Sequence, residues 1–72
     1  TKIIIMADIN RIKVVLVEKK KSNKWLAFQI GKDQGTVSKW CTNTTQPSLE
    51  MLSKIAMLLE VDIRDLLIPT NA

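Results

Sequence analysis

The stretch SNKWLAFQIGKDQGTVSKW, Ser22 to Trp40, decides how the rest of this sequence is read. Ser22 is a residue type that caps helix N-termini, because its hydroxyl accepts a hydrogen bond from a free amide of the first turn. Leu26, Ala27 and Ile30 then share one helical face. Gly31 supplies the left-handed backbone that stops a helix. Asp33 is a second cap, and Val37, Trp40 and Cys41 stand at i, i+3 and i+4. The spacing predicts a helix from Gln34 to about Thr42 with that side inward. Two helices joined by a short glycine-containing turn make a helix-turn-helix. Ala27, four residues before the glycine, leaves room for the two helices to pack closely.

The opposite face of the second of these helices carries Gln34, Gly35, Thr36, Ser38, Lys39, Thr42 and Asn43. It is polar, short in side chain and nearly free of acid. Such a face can approach the base edges of a duplex without repelling its phosphates. A face kept only for solubility usually carries more Glu and Lys.

Working outward, Asp8 is read as the cap of a first helix running to about Lys20, with Ile12, Val15, Leu16 and Lys19 on one face. The β-branched run Val14 to Val17 leaves a strand open there. Downstream, NTTQP (residues 43–47) reads as a loop, and Asn43 is a residue type that tolerates the left-handed turn at a helix end. Ser48 caps a fourth helix with a stripe of Leu49, Leu52, Ile55, Ala56 and Leu59, the strongest helical signal in the chain. Asp62 caps a short fifth helix with Ile63, Leu66 and Leu67 inward, closed by Pro69. The expected fold is all-α: a compact five-helix domain over residues 8–68. It follows a short apolar tail, TKIIIMA (residues 1–7), read as strand or disordered, and precedes a C-terminal tail (69–72).

Composition narrows the function. With 72 residues the chain is expected to form one domain, and an apolar content of 46% is that of a folded protein. A single cysteine and no histidine argue against an internal disulfide or a zinc site, and the lone Cys41 fits a reducing compartment. No segment is expected to cross a membrane, and the start does not read as a signal peptide. The net charge of +4 is unevenly spread. Residues 1–46 hold nine Lys or Arg against three acids, a net +6, whereas residues 47–72 carry −2. One end therefore suits a polyanion, although lysines also serve solubility. An enzyme is not expected: the carboxylates are scattered over caps and helix ends rather than gathered. No cofactor, metal or small-molecule ligand is expected.

The segment from Ser22 to Trp40, continued by NTTQPSLEMLSKIAMLLEVDIRDLL to Leu67, resembles the phage repressor and Cro (XRE-type) helix-turn-helix regulators. The pattern of Ser cap, Leu-Ala, Gly, Asp cap, Val-Ser-x-Trp, Pro-Ser and Ile-Ala carries the likeness over about residues 10 to 67. The resemblance implies a lambda-repressor-like fold and sequence-specific binding of double-stranded DNA. It implies a cytoplasmic transcription regulator of bacterial or phage type, acting as a repressor and as a homodimer. Base reading falls to Gln34, Thr36, Ser38 and Lys39, where Gln can bond both N6 and N7 of adenine. Gly35 matches a further contact position but offers no side chain. Phosphate contact falls to Asn23, Lys24, Lys32, Thr42, Asn43 and Thr44.

Two surfaces are candidates for the dimer interface: the tail with Ile3 and Ile5, and the C-terminal helix with Leu67 and Ile68. An antitoxin or adaptor whose main partner is another protein is the alternative function. Two departures from the family pattern stand out. An Arg–Glu pair common in the family is replaced by Leu16 and Cys41, which leaves no buried charge unpaired. Asn43 stands where glycine is common. Several other side chains have an ordinary packing role: Trp25 and Trp40 as core residues, Cys41 as a small hydrophobe. Lys19 to Lys21 are either a solvated helix end or a flank against the phosphate backbone.

Overall fold

Four α-helices and one 3-10 turn order the chain in a computed structural model that describes residues 8–70. They are α1 (Ile12–Glu18), α2 (Asn23–Ile30), α3 (Gln34–Cys41) and α4 (Leu49–Leu59), followed by the 3-10 turn Ile63–Leu66. The expected tail, with its candidate interface residues Ile3 and Ile5, lies outside the described residues. No strand forms among the described residues; the only pairing of that kind is an isolated antiparallel bridge between Asn10 and Leu67.

Capping residues act where short-range chemistry predicts. Ser22 Oγ accepts from the Trp25 amide at 3.0 Å, Asp33 Oδ1 from the Thr36 amide at 2.7 Å, and Ser48 Oγ from the Met51 amide at 3.1 Å. Gly31 ends α2 with φ +71. A Cβ there would meet nothing within 4 Å, so the backbone angle alone favours glycine. Non-glycine residues take the same left-handed turn at Lys20, Asn43 and Glu60.

The core is one cluster: Ile12, Val15 and Leu16 from α1; Leu26 and Ala27 from α2; Val37 and Trp40 from α3; Leu52, Ile55, Ala56 and Leu59 from α4; and Leu66. Burying each of the larger side chains stabilises the fold by about 1.5–3 kcal/mol before entropy is counted. Leu16 is completely buried and Cys41 half-buried, so apolar packing does occupy the position of the family's ion pair.

Four expectations are corrected. Helix α1 begins at Ile12, not just after Asp8. Asp8 is exposed, and it is Asn10 Oδ1 that accepts from the Ile12 amide, at 3.0 Å. The main chain before the helix is tied to the C-terminal segment, with the Arg11 amide on Leu66 O and the Ile68 amide on Ile9 O, each 2.8 Å. At the other end Lys20 turns left-handed and the Lys21 amide reaches back to Leu16 O at 2.8 Å, a Schellman closure. Lys19 is thereby left exposed at the helix end rather than packed on the inner face.

Leu49 is the second correction, being 75% exposed. It is the first residue of α4, and that helix meets the core only from Met51 onward. The third correction is the fifth helix, which is a single 3-10 turn. Asp62 does cap it, with Oδ1 on the Arg64 amide at 2.8 Å. Leu67, however, is extended to meet Asn10, which stops the helix before a second turn. Finally, the candidate interface residues Leu67 and Ile68 lie on this extended segment and not on a helix.

Candidate nucleic-acid interface

Helices α2 and α3 share more contacts than any other pair of elements, as the buried Ala27 allows. Completely buried Val37 and nearly buried Trp40 anchor α3 on its inner side. Its outer side is therefore set by the helical period. Gln34, Gly35, Ser38, Lys39 and Thr42 are exposed there, and Thr36 is half-buried at the margin. The side chains of Gln34, Ser38 and Lys39 have no hydrogen-bond partner among the described residues. Their donors and acceptors are free for a ligand.

The Thr36 hydroxyl is less free, because it donates to Asp33 Oδ2 at 3.2 Å. These two bonds from Thr36, the backbone one first, hold the Asp33 carboxyl below its ordinary range, so it stays ionised at the N-terminus of α3. Gly35 keeps this cap uncrowded. A Cβ there would lie 3.1 Å from Asp33 Oδ1, closer than is comfortable, and its absence also lets the helix backbone come near a partner.

Lys24 and Lys32 flank Gln34. All three line an open groove between α2 and the start of α3, together with Ala27, Phe28 and Asp33. Phe28 is 82% exposed in that groove, a feature its place in the helical pattern did not single out. Lys21 lies over the Trp25 ring, with Nζ 4.8 Å from the centroid. One of the three clustered lysines is therefore occupied with packing, and Trp25 is covered rather than open for stacking.

The remaining expected phosphate contacts are partly committed within the protein. Asn23 Oδ1 accepts from the Cys41 thiol at 3.4 Å, and burial pushes that thiol up, which keeps it protonated for the bond. Thr42 Oγ1 lies 3.1 Å from Ser38 O and 2.8 Å from Thr44 Oγ1. Asn43 makes four side-chain hydrogen bonds inside the molecule. Thr44 is exposed, and its amide and that of Thr45 both fold back on Lys39 O.

In the C-terminal segment, Leu67 is half-buried and Ile68 is 36% exposed beside Ile9, which is 47% exposed. Asn10 was also missed by the sequence reading, although Asn just before an apolar helical run is a capping signal that competes with Asp8. No helix among the described residues is long and apolar enough to cross a membrane.

Comparison with known proteins agrees with this geometry. A helix-turn-helix family model matches residues 12–66. Among solved structures the chain is similar to a Bacteroides fragilis protein to which DNA binding is attributed. The two share 60% identity, with a TM-score of 0.80, over 81% of this chain and 94% of the other. No curated protein matches significantly. With the family pattern spanning α1 through the 3-10 turn, and α2 and α3 in the arrangement that defines it, this chain belongs to the XRE-type helix-turn-helix family.

Proposed function

We propose that the chain is a sequence-specific regulator of transcription that inserts α3 into the major groove of double-stranded DNA. The observation that carries this reading is the outer face of α3: exposed Gln34, Ser38 and Lys39, unpartnered among the described residues, on a helix anchored from behind by Val37 and Trp40. Gln34 and Lys39 would read base edges, with Ser38 and the Thr36 methyl as closer, smaller contacts. Lys24, Lys32 and Thr44 would hold phosphates on either side. Asn23, Thr42 and Asn43 would serve by shaping the surface that meets the backbone.

Three exposed side chains and the half-buried Thr36 make a small reading head, so selectivity calls for two copies on a two-fold related operator. Their half-sites would lie about 34 Å apart, one helical turn of DNA. Leu67 and Ile68, with Ile9 beside them, are the interface we assign, and Ile3 and Ile5 precede it in the chain. Occupancy of a promoter would then repress, in the bacterial cytoplasm, whether the gene is the bacterium's own or a phage's. The chain has no assigned chemistry of its own in this reading.

The test is selection of binding sites from randomised duplexes, followed by a salt titration. Wild-type protein should enrich a two-fold symmetric site. Its affinity should fall steeply with salt, with a slope of about −0.9 per phosphate contacted. Gln34→Ala and Lys39→Ala should each relax preference at particular base pairs, by about 1–3 kcal/mol of discrimination. Unchanged preference in the Gln34 variant would remove that residue from the reading head. A folded protein with no salt-sensitive duplex affinity would end the proposal.

A further inference from the structure

Among the described residues, Asn10 is the one polar or charged side chain that is buried. A buried carboxamide is costly unless its hydrogen bonds are made, and these are. Oδ1 accepts from the Ile12 amide at 3.0 Å. Nδ2 donates to Trp40 O at 2.9 Å and to Gln46 Oε1 at 2.7 Å. One side chain thus holds the first amide of α1, binds the last turn of α3 and grips the loop that follows it.

Asn43 answers from the other side. Its backbone is left-handed, with φ +61, which turns its carboxamide back toward the 9–10 segment. Its Oδ1 accepts from the amides of Ile9 and Asn10, at 2.9 and 2.8 Å, and from Gln46 Nε2 at 3.1 Å. Its Nδ2 donates to Asn10 O at 3.1 Å. The same loop carries Thr44 and Thr45, whose amides lie 2.8 and 3.3 Å from Lys39 O.

A fold needing only stability could do without these groups. Glycine at 43 would meet the backbone angle, and an apolar residue at 10 would fill the core with no desolvation cost. A carboxamide both donates and accepts, so three of them together allow very few relative placements of the segments they join. We propose that Asn10, Asn43 and Gln46 are positioning residues for DNA recognition. They fix the C-terminal end of α3 and aim the Thr44–Thr45 loop at the phosphate backbone. This rests on the DNA-binding function proposed above, and none of the three need touch a base.

The experiment uses Asn43→Gly and Gln46→Ala in the full chain, beside wild type. The first variant keeps the left-handed turn at no steric cost. The second alters an exposed residue, so its fold is not at risk. Two readouts are taken well below the melting temperature. One is amide hydrogen exchange without DNA. The other is affinity and salt slope on a duplex selected from a random pool by the wild-type protein.

The expected result is faster exchange at Thr44 and Thr45, by about tenfold, the equivalent of one net hydrogen bond. The Ile55 and Leu59 amides in α4 should exchange as in wild type. Affinity should fall by about tenfold and the salt slope by about one. Faster loop exchange with unchanged affinity and slope would overturn the proposal, leaving the network a purely structural tie. So would unchanged loop exchange, or exchange that accelerates equally in α4, since any affinity loss would then follow global stability. A wild-type protein with no duplex affinity would overturn the function and this inference with it. The exchange data, read without DNA, would still show whether the network holds the loop.

Discussion

Replacing Asn10 by Asp exchanges one NH2 group for oxygen at a position only 3% exposed. The carboxylate can still accept from the Ile12 amide, but it cannot donate to Trp40 O or to Gln46 Oε1. Both losses are softened. Trp40 O keeps a bond from the Asn43 amide, and the exposed Gln46 can turn its amide to offer a donor instead. What remains is one or two lost hydrogen bonds, at about 1 kcal/mol each, and the cost of a charge held against a carbonyl. Together these amount to about 2–4 kcal/mol, a large part of the stability available to so small a domain. For this size, each kcal/mol lowers the melting temperature by about 4–8 °C.

The sign of the pH dependence follows. Burial, with one carboxylate oxygen held against the Trp40 carbonyl, raises the folded pKa of the new carboxyl above its unfolded value, so the variant is best off below the unfolded pKa. It loses stability as pH rises through the folded one. The gap between wild type and Asn10→Asp should therefore narrow from pH 7 to pH 4 when both are melted by circular dichroism. A gap under about 1 kcal/mol at pH 7, or one that is equal at the two pH values, would refute the reasoning.

Three further outcomes are expected. Glu60→Gly should stabilise by about 0.5–1 kcal/mol in urea melts, because φ +58 strains a side chain that is otherwise exposed. Asp33→Asn keeps the cap but not the charge. The folded pKa of Asp33 lies below its ordinary value of 3.8, so its extra stability is present above that value and lost as pH falls through the folded pKa. The variant should show a flatter loss of stability in acid titrations below about pH 4. Trp40→Ala should cost about 3–5 kcal/mol by emptying a site that is only 6% exposed, and a wild-type melting curve would remove Trp40 from the core.

Helix existence, capping and facing were open to reading from residues alone. Ser22, Asp33 and Ser48 bond amides three positions away, Gly31 sets its own backbone angle, and Val37 and Trp40 share a face by helical period. Each of these depends on neighbours in the chain, so composition and spacing are enough. The outer face of α3 came with them, since fixing the buried side of a helix fixes the other.

The tertiary structure decided what depends on distant partners. Asp8 and Asn10 are both capping types, and it is Asn10 that bonds the first amide of α1, because Trp40, Asn43 and Gln46, thirty or more residues on, surround it. Leu67 is apolar and helix-compatible, yet it is extended because Asn10 pairs with it. Asn43 has the composition of a phosphate-binding turn, but its carboxamide is turned inward. Such hydrogen bonds join groups whose separation along the chain carries no periodic signal. Only the packing of α1 and the C-terminal segment against the end of α3 brings them within reach.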